Sequence, residues 1–124
     1  MNSPIDEVRI VVVDDMPDAA QSLAELLRMT GYMVRTCYDG AQALEVIRSF
    51  EPHCVLFDVL MPGIDGSQLA ATLRSDYGDD IVLIAVTGGD EEQAPVKSTF
   101  LQVDHYLRKP LDIPSLHRLL PPLH

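Results

Sequence analysis

"RIVVVDDMPDAAQSLAELLRMTG", residues 9–31, decides the fold. Ile10, Val11, Val12 and Val13 are β-branched, a class that favours strands, and they run without a polar interruption. A strand with one wet face alternates apolar and polar residues. An unbroken run fits a strand covered on both faces, as in a parallel sheet. The period then changes. In 18–30, Ala19, Leu23, Leu26, Leu27 and Thr30 recur at helical spacing, and Gly31 stands where a helix stops. Between the two periods sit Asp14 and Asp15, two carboxylates that repel each other at the mouth of a buried run. Helix capping accounts for one acidic residue, and Asp18 is better placed for it. Asp14 and Asp15 need another partner.

The same grammar repeats down the chain. Further apolar runs are "MVRTCY" (33–38), "CVLFD" (54–58), "IVLIAVT" (81–87) and "HYLRK" (105–109), with 9–14 as the first. Ala43, Leu44 and Ile47 mark the buried side of a helix over 40–50; Leu69, Ala70 and Leu73 do so over 65–75. In 112–120, Asp112 caps, Pro114 sits in the tolerated first turn, Ile113, Leu116 and Leu120 face inward, and Pro121 and Pro122 end the helix. The fourth connection, "GGDEEQAPVKSTFLQ" (88–102), is the weakest helix: Pro95 makes it short, starting near Ala94, or kinked. The (βα)5 pattern predicts an open α/β sheet with right-handed crossovers. Strand order does not follow from periodicity.

At 124 residues the chain is expected to form one domain that buries roughly two-thirds of its unfolded surface. Its net charge of −10 argues against nucleic acid and anionic membrane as direct partners, which select basic patches. "IVLIAV" (81–86) is too short to span a bilayer, and "MNSPIDEVR" lacks the regions of a signal peptide, so the expected location is cytoplasmic. Cys37 and Cys54 read as reduced thiols, and the four histidines show no metal-ligand spacing with them. The chain stops just after the last helical pattern, which leaves no room for an output domain; it reads as free-standing or as cut from a longer regulator or hybrid kinase.

Four of the five expected strands end in a residue able to do chemistry: Asp14 and Asp15, Asp58, Thr87 and Lys109. In open α/β sheets ligands bind outside the carboxyl ends of the strands, so these groups converge on one edge. Three crowded carboxylates stay ionised cheaply only around a cation. An oxygen-only, highly charged set suits Mg²⁺, which keeps waters that a phosphate replaces. Lys109 and Thr87 then serve the phosphate, and an Asp is able to take a phosphoryl group as a nucleophile.

"VVVDDMPD", "LFDVLMPGIDG", "AVTGG" and "DHYLRKPLD" resemble the signatures of response-regulator receiver domains, over about residues 8–120. The resemblance implies a flavodoxin-like fold with strand order 2-1-3-4-5 and helices on both faces. It implies that Asp58 is the phosphoacceptor and that Asp15, Asp58 and the backbone carbonyl of Leu60 hold Mg²⁺, with Asp14 acting through water. Lys109 pairs with the phosphoryl oxygens, Thr87 donates to one of them, Tyr106 turns inward on activation, and the Lys109–Pro110 bond is cis. The implied partners are a histidine kinase or histidine phosphotransfer protein, with a downstream protein or a second copy meeting the 91–120 face. Departures from the family pattern (Gly88, Gly89, Pro95, Gln102 and Val103) bear on the output surface and remove no reactive group.

Alone, each residue has a plainer reading. Asp14 and Asp15 would cap and be solvated, Asp58 would end a strand, Thr87 would fill one, Lys109 would lie in water and Tyr106 would be a half-buried core aromatic. His105 reads as outward-facing, and His53, His117 and His124 as structural or solvated. No G-x-x-x-x-G-K-[ST] loop is present, so ATP is not the expected direct donor. The chain is therefore expected to be no enzyme beyond its own phosphotransfer and autodephosphorylation. The rival from another class is a phosphate-independent interaction module on the same fold. A flavin-binding protein would want a Ser/Thr-rich loop where "DDMPD" stands, and an Asp-nucleophile phosphatase would want a second Asp at Leu60.

Overall fold

The computed structural model describes residues 7–59, 66–87 and 102–122. Five strands, β1 (Arg9–Val13), β2 (Met33–Cys37), β3 (Cys54–Asp58), β4 (Val82–Thr87) and β5 (His105–Arg108), form one parallel sheet of order β2-β1-β3-β4-β5. The described α-helices are α1 (Pro17–Thr30), α2 (Gly40–Phe50), α3 (Gly66–Tyr77) and α4 (Ile113–Leu119), with a 3-10 turn at Gly78–Asp80 after α3. This is the expected flavodoxin-like arrangement. The weak helix expected around Ala94 and Pro95 lies outside the described residues, as do Gly88, Gly89 and Leu60. No helix among the described residues is long and apolar enough to cross a membrane.

The side-chain period of two in a strand builds both layers of the core. Val11 and Val13, Val55 and Phe57, and Leu83 and Ala85 point to the face covered by Ala43 and Ile47 of α2 and Leu69, Ala70 and Leu73 of α3. Ile10 and Val12, Cys54 and Leu56, and Ile84 and Val86 point to the other, under Ala20, Ala24 and Leu27 of α1 and Leu116 of α4. Unbroken apolar runs are what a two-sided burial requires. Both cysteines are buried and unbridged; burial holds the Cys37 thiol up at about 11, and Asp39 adds to the effect.

Two details of α1 depart from expectation. Its buried stripe is Ala20, Ala24 and Leu27, while Ala19 and Thr30 are exposed and Leu26 is 45% exposed. The helix also begins at Pro17, whose fixed φ and missing N–H suit a first helical position. Asp18 therefore sits inside the first turn, where its charge suits the helix dipole, and makes no cap. Asp14 takes the turn instead, with Oδ1 accepting from the Met16 N–H at 3.0 Å. At the other end Gly31 adopts φ 123°, a conformation that favours glycine, and donates back to Leu27 and Arg28.

At the amino end of the sheet His53 has a structural role. The Arg9 N–H donates to its Nδ1 at 3.0 Å, and the His53 N–H donates to the Arg9 carbonyl at 2.8 Å. Accepting at Nδ1 requires a neutral ring in this contact. Burial lowers the His53 pKa, the Arg9 charge adds to that, and Glu7 opposes it. Above pH ~6.5 the ring is neutral in both folded and unfolded chains and stability is flat. Below it the unfolded chain takes up the proton first, so stability falls with pH until the folded ring also titrates. Partial exposure should keep the slope well under the ceiling of about 1.4 kcal/mol per pH unit that one proton sets. His53→Asn retains an acceptor near Nδ1 and should flatten the drop in urea midpoint between pH 7.5 and pH 5.5; an unchanged drop would assign it to other groups.

Candidate functional site

Parallel pairing brings the carboxyl ends of the strands level. Val13 pairs with Cys37 on one side and Phe57 on the other, Asp58 with Val86, and Thr87 with Arg108. The next residue in each chain, Asp14 after β1 and Lys109 after β5, therefore emerges on the same edge as Asp58 and Thr87. Backbone bonds hold those ends: Asp14 N–H to Cys37 O (3.0 Å), Val59 N–H to Val86 O (3.0 Å) and Lys109 N–H to Thr87 O (2.7 Å).

Carboxylate oxygens of Asp14, Asp15 and Asp58 all lie within 4.8 Å of one another. Lys109 Nζ reaches across the sheet edge to Asp58 Oδ2 at 3.0 Å and to Asp14 Oδ2 at 3.6 Å. Burial alone would lower the Lys109 pKa; the hydrogen bond and charge of Asp58, with the charge of Asp14, outweigh it and hold the ammonium above its usual value. Asp14 is 8% exposed and Thr87 is fully buried at the end of β4. Tyr106 is half-buried, packs its ring against the α2–α3 layer, and keeps Oη shielded from solvent. Burial pushes its phenol pKa up. The Lys109–Pro110 peptide is cis.

The edge thus unites Asp14, Asp15, Asp58, Thr87 and Lys109, five of the residues singled out from sequence. Tyr106 lies one layer down on β5, paired with Ala85. The oxygen-only donor set fits Mg²⁺, which takes few carboxylates and retains waters. An apolar groove of about 580 Å³ opens beside the cluster. It is lined by Ala19, Leu23 and Leu26 of α1 opposite Pro110, Leu111 and Ile113. Of the residues at helical spacing in 18–30, Ala19, Leu23 and Leu26 line this approach, while Leu27 is in the core.

The model of the response regulator receiver domain matches residues 10–120. The chain belongs to that family. Among curated relatives, the receiver is 38% identical over 109 residues to the response regulator MprA of Mycobacterium ulcerans, covering 88% of this chain and 47% of the relative. It thus spans about half the length of the curated relatives it matches. The fold is similar to that of the response regulator protein TrrA from Thermotoga maritima, solved in complex with Mg(2+)-BeF. The TM-score is 0.78 at 30% identity, over 91% of this chain and 99% of that one. A response regulator protein from Burkholderia pseudomallei, with a phosphorylated aspartic acid, a calcium ion and citrate, superposes with a TM-score of 0.81 at 26% identity. That match covers 92% of this chain and 66% of the other.

Sequence reasoning missed one residue that shapes the receiver site. Gly66 opens α3 and donates its N–H to the Val59 carbonyl at 2.9 Å. A Cβ there would lie 2.6 Å from Val59 Cα and 2.9 Å from Val59 O, directly after Asp58. The signal was the last glycine of "LFDVLMPGIDG", but the close approach is a tertiary fact. Gly66→Ala should cost about 1–3 kcal/mol, as overpacking does, and should also slow phosphorylation by displacing the backbone next to Asp58. Urea unfolding together with a phosphorylation time course checks both; a variant as stable and as fast as wild type would contradict the tight approach.

Proposed function

We propose that residues 1–124 form a single receiver domain, with its core at about 8–120, that accepts a phosphoryl group on Asp58 and switches conformation. The donor is a phosphohistidine on a histidine kinase or histidine phosphotransfer protein, and the reaction depends on Mg²⁺. The observation that carries this reading is the Lys109–Asp58 contact of 3.0 Å inside a cluster of three carboxylates. The cation seen with TrrA supports the choice of Mg²⁺.

Asp15 and Asp58 would hold the ion directly with the Leu60 carbonyl, and Asp14 would act through water. One Asp14 oxygen is already committed to the Met16 N–H, which suits an indirect role. Bound there, Mg²⁺ would neutralise charge on the transferring group. A carboxylate oxygen of Asp58 attacks phosphorus in line. The P–N bond to the donor imidazole breaks, and its electron pair leaves with the imidazole nitrogen, which takes up a proton. Lys109 turns from Asp58 to a phosphoryl oxygen, and Thr87 donates to another. Water later hydrolyses the acyl phosphate and restores Asp58. Nothing beyond the chain itself is turned over, so the receiver acts as a switch and not as an enzyme on an outside substrate.

Tyr106, on β5, relays the change to a downstream protein or a second copy meeting the 91–120 face. The apolar groove along α1 gives a protein donor a surface beside Asp58. A cytoplasmic location follows from this chemistry, since histidine kinases phosphorylate receivers there.

Incubation with a small-molecule phosphodonor, read by intact mass, tests the proposal. The chain should gain one phosphoryl group with Mg²⁺ and none without it. No gain under either condition would favour the phosphate-independent interaction module.

A further inference from the structure

One guanidinium at the far end of the sheet is bonded to four residues. Arg74, in the last turn of α3, donates from Nε to the Gln102 carbonyl (2.8 Å) and from Nη1 to the carbonyls of Gly78 (2.8 Å) and Ile81 (3.2 Å). Its Nη2 donates to Asp104 Oδ2 at 2.6 Å. Asp104 in turn takes both backbone polar groups of Leu83. Its Oδ2 accepts the Leu83 N–H at 2.8 Å, and its own N–H donates to the Leu83 carbonyl at 2.9 Å. Burial would raise the Asp104 pKa, but the Leu83 N–H and Arg74 outweigh it and hold the carboxyl below its usual range.

An exposed ion pair contributes little by itself. This one sits where it sets a register. β5 has four residues, lies at the edge of the sheet, and pairs with β4 from Ile84–His105 to Thr87–Arg108. Asp104 immediately precedes the first of those pairs, and Lys109 immediately follows the last. A slip of one residue moves a strand by about 3.3 Å and turns each side chain to the opposite face. That displacement is as large as the 3.0 Å contact between Lys109 Nζ and Asp58 Oδ2.

We propose that Arg74, acting through Asp104, is a positioning residue for phosphorylation: it fixes β5 against β4 and so holds Lys109 at Asp58. The inference rests on the reading of Asp58 as phosphoacceptor. It has a consequence that a general loss of stability lacks. Asp14 and Asp15 follow β1 and Asp58 ends β3, so the carboxylates that would hold Mg²⁺ do not depend on β5.

Arg74→Ala, Lys109→Ala and the double variant are compared for phosphorylation rate at saturating Mg²⁺, for Mg²⁺ affinity by calorimetric titration, and for folding by urea. Arg74→Ala should slow phosphorylation about tenfold, within the roughly 10²-fold that ångström-scale misplacement costs, with Mg²⁺ affinity not weakened. The double variant should be no slower than Lys109→Ala, because both changes remove the same contact. Multiplying effects, or Mg²⁺ affinity falling in step with rate, would overturn the inference. If Arg74→Ala does not fold, Asp104→Asn keeps an acceptor for the Leu83 N–H, weakens the pairing with Arg74, and should show the same split. A wild-type chain that takes no phosphoryl group overturns the functional reading and this inference with it.

Discussion

Asp58→Asn is expected to take no phosphoryl group from a small-molecule donor at any Mg²⁺ concentration. Asn matches Asp in shape, and its amide oxygen still accepts from Lys109, so the fold should survive. What is lost is the anionic nucleophile, because a neutral amide cannot form the acyl phosphate. The same change removes one of three carboxylates crowded within 4.8 Å, so the variant without metal should be at least as stable as wild type. Intact mass and a urea midpoint measure the two effects on one preparation. A full phosphoryl gain in the variant would move the acceptor away from Asp58. A large fall in stability would mean that the Asp58 charge is part of the fold.

Lys109→Met separates two roles that point in opposite directions. Phosphorylation should slow by about 10²–10³-fold, the usual cost of removing one preorganised donor to developing charge. Mg²⁺ binding should tighten. In the structure the ammonium stands 3.0 Å from Asp58 and 3.6 Å from Asp14, where it cancels part of the field that attracts a cation. Without metal, the variant should be less stable than wild type, since two largely buried carboxylates lose their nearest positive charge. Added Mg²⁺ should restore it. Rate loss accompanied by weaker Mg²⁺ binding would contradict this division, because it would make Lys109 a support of the metal site and not its competitor.

The site was legible because of a general property of parallel sheets. Strand runs can be found by period, and all their carboxyl ends meet on one edge, so Asp14, Asp58, Thr87 and Lys109 could be brought together without knowing strand order. The order needed the family resemblance, and the pairing registers that level Asp58 with Val86 and Thr87 with Arg108 needed coordinates. The face of α1 was misread for a physical reason. Ala19 and Ala20, Leu23 and Ala24, and Leu26 and Leu27 place apolar residues on two adjacent stripes, and only the sheet beneath decides which is buried. The other stripe lines the groove beside Asp58. Asp18 has the side chain of a cap, but Pro17 starts the helix one residue earlier and places Asp18 inside the first turn. Gly66 and the Arg74–Asp104 contact were invisible for a different reason. Each acts through a contact that no local period encodes: Gly66 lies against the backbone of Val59, and Arg74 meets Asp104 at a sequence separation of 30.

The most direct test of the central claim is to locate the phosphoryl group. The wild-type chain is phosphorylated with Mg²⁺, the acyl phosphate is trapped by borohydride reduction, and the modified residue is mapped by peptide mass spectrometry. The account predicts modification at Asp58 alone. Modification at Asp14 or Asp15, or a phosphoryl group on a Ser or Thr that borohydride leaves untouched, would contradict it.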